Sequence, residues 1–368
     1  MDFALTEDQI LLQEQMDKAA AKLSPLARVR QHAAGDSAFA EDVWAALTEL
    51  GVPGILVAAQ FGGLGMGLLD AALISEIFGR YTVPVPFFGA VVAAPIAIAA
   101  AGSPDQQADL LPQIAAGKLR IAVALSEMLA GARAGSGVQC RAGKLYGSSY
   151  FAVDVAGARM ILVGDASGGL HLVDIGAPGL TVSPITTVDT THSVAALSFD
   201  GVQKRALEGA SVAVGKRIAA ALRVVAAADL LGTGTRMMEM AVEYAKVRRQ
   251  FGRPIGSFQA VKHLCVDMAA ELEPGRALVW YAAHAQDAGL ADAETASLHA
   301  KAYLADAARI AARNSIEVHG GIGITDELGL HYWFKRATFG GQVFGGPVRL
   351  RELAAAELEI ARPSATLF

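Results

Sequence analysis

Apolar positions at the start of the chain recur at close to a 3.6-residue period. Thr6 and Gln9 have the spacing of a capping box, and Ile10, Leu11, Met16, Ala19, Ala20 and Leu23 follow. That pattern predicts an amphipathic helix. A second helix is expected over residues 39–50, ended by Gly51-Val52-Pro53-Gly54. Residues 68–78 and 105–115 fit two more. Residues 85–101 form an uncharged run holding Pro86 and Pro95. The run is shorter than the ~20 apolar residues that cross a bilayer, so it reads as a buried core helix. From about Leu119 the helical spacing fades. Residues 159–163 and 170–174 flank Asp165-Ala166-Ser167-Gly168-Gly169, which reads as a hairpin. Residues 180–182 and 194–199 suggest further strands. Long helices return after Gly215, over residues 218–249, 293–318 and 348–360. Val261, Leu264, Cys265, Met268 and Leu272 outline the buried face of another. Pro274-Gly275 is expected to kink or break it, and Gly320-Gly321 stops the helix over 293–318.

These patterns predict an α+β multidomain protein. It has an N-terminal all-α domain over 1–118, a small antiparallel β domain over 119–212 and a C-terminal four-helix bundle over 213–368. Composition narrows the function. With 53% hydrophobic and 18% charged residues among 368, the chain can bury a large core and is not disordered. A formal net charge of -5 offers no basic field for nucleic acid. Two cysteines, Cys140 and Cys265, cannot build a disulfide framework or a four-ligand zinc site. The start Met1-Asp2-Phe3 turns acidic at once, unlike a signal peptide. A soluble, cytoplasmic protein with no membrane or nucleic-acid partner is therefore expected. Gly62-Gly63-Leu64-Gly65-Met66-Gly67 lacks the preceding strand and the spacing of a dinucleotide loop.

Longer strings sharpen this. Thr6-Glu7-Asp8-Gln9, Gln60-Phe61-Gly62-Gly63-Leu64-Gly65 and Leu110-Leu111-Pro112 are followed by two stronger ones. The first is Arg248-Arg249-Gln250-Phe251-Gly252-Arg253-Pro254-Ile255-Gly256 with Phe258-Gln259-Ala260. The second is His319-Gly320-Gly321-Ile322-Gly323-Ile324-Thr325. In this order the chain resembles the acyl-CoA dehydrogenase family over essentially its whole length. The resemblance implies α,β-oxidation of an acyl-CoA thioester. A carboxylate takes the α proton while hydride passes from Cβ to N5 of FAD, and an electron-transfer flavoprotein is the expected acceptor.

The resemblance also implies site residues. Arg248, Gln250 and Phe251 match the element that contacts a neighbouring subunit's FAD, and Gln259 matches the glutamine that follows. Glu317 stands where the family often has glutamine, ahead of Gly320-Gly321, where backbone can approach the cofactor. Leu125 and Ser126 open the string Ser126-Glu127-Met128-Leu129-Ala130-Gly131-Ala132, which matches the family's flavin-side Thr-Glu-Pro-x-Ala-Gly-Ser. Here the pyrophosphate serine is Ala132, the Trp-x-Thr pair is Phe151 and Val153, and Tyr-Glu-Gly-Thr is Phe344-Gly345-Gly346-Pro347. Both positions that carry the family's glutamate base are empty. One is Gly345; the other is Leu222, followed by a matching Arg223. The catalytic residue is therefore unassigned. Asp229 and Glu127 are the carboxylates left to consider, while His319 and His331 read as packing or surface residues.

Groups given to a neighbour are mostly kept, and groups that hold flavin within the chain are mostly lost. That asymmetry resembles the base-less subunits of heterotetrameric dehydrogenases of bacterial steroid side-chain degradation. The expected partner is a related catalytic subunit in an α2β2 complex. An active homotetramer with an atypical base or substrate is the alternative. A non-redox acyl-CoA-binding protein on the same fold is a third reading.

Overall fold

The structure, a computed structural model, describes residues 4–35, 39–130 and 136–357. Six helices come first: α1 (Glu7–Leu23), α2 (Leu26–Ala33), α3 (Glu41–Glu49), α4 (Leu68–Arg80), α5 (Ala94–Ala101) and α6 (Pro104–Ala115). The capping box at α1 is formed. Gln9 N–H donates to Thr6 Oγ1 at 3.2 Å, and Thr6 N–H donates to Gln9 Oε1 at 3.1 Å. The expected core helix over 85–101 is composite, with a π-helical stretch Phe87–Ala93 running into α5. Gly89 is needed in that stretch, because a Cβ there would sit 2.2 Å from the Ile121 carbonyl oxygen.

The middle of the chain holds β1 (Ile121–Ala124), a short α7 (Ser126–Ala130), β2 (Gly137–Arg141), β3 (Lys144–Val153), β4 (Met160–Gly164), β5 (Leu170–Asp174), β6 (Leu180–Pro184), β7 (Val194–Gln203) and β8 (Arg205–Ala206). The sheet order is β6-β7-β3-β1-β4-β5-β8, with β2 on β3. The hairpin β4–β5 forms as expected. The sheet is antiparallel except for one pair, β1 beside β4 in parallel. Both strands are buried along their whole length, as a strand covered on both faces should be. Met160 and Leu162 face the helices, while Ile161 and Val163 join a second core with Leu197 and Phe199.

The last third begins with α8 (Val212–Val247), and a two-stranded ribbon, β9 (Arg249–Gln250) with β10 (Arg253–Pro254), follows it. Then come α9 (Gln259–Asp287), α10 (Ala293–His319), α11 (Leu330–Gln342) and α12 (Pro347–Glu357). Pro274 does not break α9. The helix is held along its length because Met268, Leu272, Val279 and Ala282 are all buried in the bundle core. Helix α8 is apolar enough to span a membrane, yet 94% of its most apolar window is buried here. It is the central helix of the bundle. Helices α4 and α8 touch backbone to backbone, since a Cβ on Gly232 would lie 1.7 Å from the Glu76 carbonyl oxygen.

Candidate functional site

A cavity of ≈ 870 Å³ opens between the sheet and helices α11 and α12. One wall comes from an irregularity in β3. The register with β7 shifts between Ser149 and Ala152, which turns Tyr150 and Phe151 toward the cavity. Phe151 takes a φ of +63°, a conformation that favours glycine. Glu127 fixes this bulge, accepting from Ser149 Oγ at 2.6 Å and from Tyr150 N–H at 2.7 Å. Ser126 Oγ donates to the Phe151 carbonyl at 3.0 Å. The Leu125 side chain is buried in the core, and its carbonyl accepts the Leu129 N–H. The opposite wall is Phe339, Phe344 and Gly345. Phe151 and Phe344 give flat apolar surface beside the aliphatic Val153, and Ser126 and Thr187 add hydroxyls at the edge. This combination fits a flavin ring. Ala132 lies outside the described residues. Pro347 opens α12, where its missing N–H costs nothing.

The two base positions are both closed off. Leu222 is 0% exposed in the core face of α8. Gly345 has a φ of +115°, and a Cβ there would lie 2.6 Å from Leu350 Cδ2. Asp229 is buried and paired. Arg336 grips it through Nε at 3.0 Å and Nη2 at 2.6 Å, both side chains being buried.

That ion pair belongs to a polar hub behind the cavity wall. Arg336 Nη1 donates to Thr191 Oγ1 at 2.7 Å, and Thr191 Oγ1 donates to Asp189 Oδ1 at 2.7 Å. The other oxygen of Asp189 meets His192 Nδ1 at 2.6 Å. The His192 ring is stacked between Phe88 and Phe339, with centroids 5.3 and 4.9 Å away. Burial alone would raise the Asp189 carboxyl, but His192 and Arg336 outweigh it and hold it down at about 2. Burial wins at Asp154 and pushes it up to about 6, against His192 and the Gly89 N–H. The hub thus ties the π-helical stretch, the sheet, α8 and α11 into one unit.

The second cluster is at the far end of the bundle. The end of α8, the start of α9 and the end of α10 meet there, and Tyr244 packs on His319 with centroids 4.7 Å apart. Arg248, Gln250, Phe251, Gln259, Glu317, Gly320 and Gly321 are all exposed at this tip. The ribbon β9–β10 turns at Phe251-Gly252, with φ of +52° and +79°. Those signs are required by a type I′ turn, which normally takes Asn-Gly. Phe251 is 91% exposed, and among the described residues Phe258 is its one aromatic neighbour, edge-on at 6.1 Å. Arg248 makes no ion pair with any described residue. Among the described residues, no atom beyond the glycines and their chain neighbours lies within 4 Å of the Cβ positions of Gly320 and Gly321, so this face is open to an approaching group. His319 is buried, its Nδ1 2.7 Å from the Ser315 carbonyl. None of the tip residues lines the cavity.

Comparison with known proteins places this geometry. The model of the acyl-CoA dehydrogenase N-terminal domain matches residues 6–118, and that of the C-terminal domain matches 208–356. The chain belongs to the acyl-CoA dehydrogenase family. It is 32% identical over 342 residues to the acyl-CoA dehydrogenase IpdE2 of Mycobacterium tuberculosis, covering 93% of this chain and 94% of that protein. The ChsE4-ChsE5 complex from Mycobacterium tuberculosis superposes with a TM-score of 0.89 at 27% identity, covering 99% of this chain and 100% of the matched one. A Tcur3481-Tcur3483 steroid acyl-CoA dehydrogenase variant gives 0.88 at 29%, covering 96% and 98%. The cofactor of this family member is FAD, and the cavity fits its ring system.

Sequence reasoning missed several parts of the site. Thr338, Gln342 and Arg349 line the cavity, but nothing in their local pattern marks them. The hub was partly visible. Asp189-Thr190-Thr191-His192 has the spacing for an aspartate to bond the backbone N–H two residues on, which it does at 2.9 Å.

Proposed function

We propose that this chain is the accessory half of a heterotetrameric acyl-CoA dehydrogenase, completing a partner's FAD site with its bundle tip. The carrying observation is the separation of the two clusters. The tip presents Arg248, Phe251 and the Gly320-Gly321 backbone to solvent, where they touch nothing of their own cavity. The Arg248 fork suits a pyrophosphate and Phe251 offers a flat apolar face. The buried Leu222 and the strained, crowded Gly345 leave no carboxylate where the family's base stands. Loss of a general base lowers rate by about 100- to 10,000-fold. Similar structures whose names refer to a steroid acyl-CoA dehydrogenase and to a two-component complex support a bulky acyl-CoA as the partner's substrate. Membership of the family supports an electron-transfer flavoprotein as acceptor.

The visible spectrum of the chain purified alone, and with a co-expressed related subunit, tests this. The expected result is no flavin alone and flavin bands in the complex. Stoichiometric flavin with acyl-CoA turnover by the chain alone overturns the reading. The intact ≈ 870 Å³ cavity favours that second reading, an active homotetramer.

A further inference from the structure

Phe251 carries its ring into solvent from a turn whose backbone it does not favour. The turn fixes the main chain, and the ring needs a support of its own. The residues that follow supply one. Arg253 pairs with Gln250 across the ribbon, closing the Phe251-Gly252 turn between them. Beyond Pro254 the chain doubles back through a 3-10 turn over Ile255–Ser257. Ser257 Oγ donates to the Pro254 carbonyl at 2.7 Å, and Phe258 N–H donates to the Ile255 carbonyl at 3.0 Å. Gly256 lets this turn press on the end of α8, since a Cβ there would lie 2.9 Å from the Ala245 carbonyl oxygen.

That path returns Phe258 to the ribbon. The Arg253 guanidinium carbon lies over the Phe258 ring, 4.1 Å from its centroid. Phe251 meets the same ring edge-to-face, with centroids 6.1 Å apart at 81°. Arg253, Phe258 and Phe251 thus form one stack of a cation and two rings. Phe258 immediately precedes α9, whose first residue is Gln259. The stack therefore ties the ribbon turn to the start of α9, and Phe251 to Gln259. A guanidinium lies flat on an aromatic face, which an ammonium cannot do. At an exposed site such a contact is weak, yet ordering groups before they bind lowers the cost of binding.

We propose that Arg253 is a positioning residue of the tip: stacked on Phe258, it holds Phe251 and Gln259 in place for the cofactor of a neighbouring subunit, which rests on the reading of the tip as part of a partner's FAD site. The other use of Arg253 would be direct, as a second cation on the pyrophosphate, and one experiment separates the two.

The measurement is the rate of flavin loss from the complex with a co-expressed related subunit, read as flavin retained after timed gel filtration. The variants are Arg253→Met, Arg253→Lys, Phe258→Leu and the double variant Arg253→Met with Phe258→Leu. Arg253→Met is expected to speed the loss about 2- to 5-fold, the range of one exposed cation–ring contact. Arg253→Lys is expected to speed it less, and Phe258→Leu at least as much. The double variant is expected to match Phe258→Leu, because the arginine acts only through the ring. The salt dependence of the rate is expected to be the same in Arg253→Met as in wild type. Additive effects, or a weaker salt dependence in Arg253→Met, assign the arginine to the pyrophosphate itself and overturn the proposal. Arg248→Ala is the control. Faster loss in Arg248→Ala with none in Arg253→Met overturns this proposal alone. No change in either overturns the accessory-subunit reading along with it.

Discussion

The interdomain cavity and the bundle tip use polar groups in opposite ways. Behind the cavity wall, polar side chains are buried and bonded to one another. Arg336, Asp229, Thr191, Asp189 and His192 form one connected set. At the tip the polar side chains are exposed and Arg248 has no ionic partner among the described residues. The first arrangement holds a fold together. The second invests strain, a positive φ at Phe251, in presenting groups outward. A chain that needed only its own stability would gain nothing from that ribbon.

Breaking each region should therefore read out differently. The largest effect belongs to the hub. Arg336→Met leaves Asp229 buried without a counter-ion and is expected to destabilise the chain by about 3–5 kcal/mol. Denaturant unfolding measures it, and adding Asp229→Asn should recover part of the loss. A loss below about 1 kcal/mol would show that the hub does not brace the cavity.

The tip should behave the other way. Arg248→Ala is expected to leave the stability of the isolated chain within about 0.5 kcal/mol. In the complex it should weaken flavin retention by about 10- to 100-fold. Equal flavin content in both complexes would remove the tip from the site.

Lys301 sharpens the contrast through pH. Burial and Arg223 set its folded pKa at about 7, against ~10.4 unfolded. Between those values the unfolded chain holds the extra proton, so stability should rise as pH rises, by at most about 1.4 kcal/mol per pH unit. The denaturation midpoint followed from pH 7 to 9 should climb in the wild type and flatten in Lys301→Met.

The smallest effect is at Glu127. Glu127→Gln keeps the shape but weakens the bonds to Ser149 and Tyr150, for a loss of about 1 kcal/mol. Turnover of the complex should change only a few-fold. Turnover falling to background would make Glu127 the missing base.

Much of this is legible in the sequence. The capping box of α1, the β4–β5 hairpin and the long bundle helices follow from spacing, because local hydrogen bonding and amphipathic periodicity are written residue by residue. The two short strings that form the tip were visible too, and the structure brings both to one end of the bundle. The interrupted strand β3 was not: its bulge depends on pairing with β7 some fifty residues away and on a brace from Glu127. Nor was the continuity of α9 through Pro274, where burial against neighbouring helices outweighs a local breaker.

Local pattern decided which segments are helix or strand, and which positions could carry family chemistry. Tertiary structure alone decided what those positions can do. It buried Leu222, crowded Gly345 against Leu350, and bound Asp229 to an arginine 107 residues away. It buried Arg223 on the inner face of α8, where no described carboxylate makes an ion pair with it. The reason is physical: spacing along the chain records local conformation, whereas charge, exposure and reach are set by distant segments.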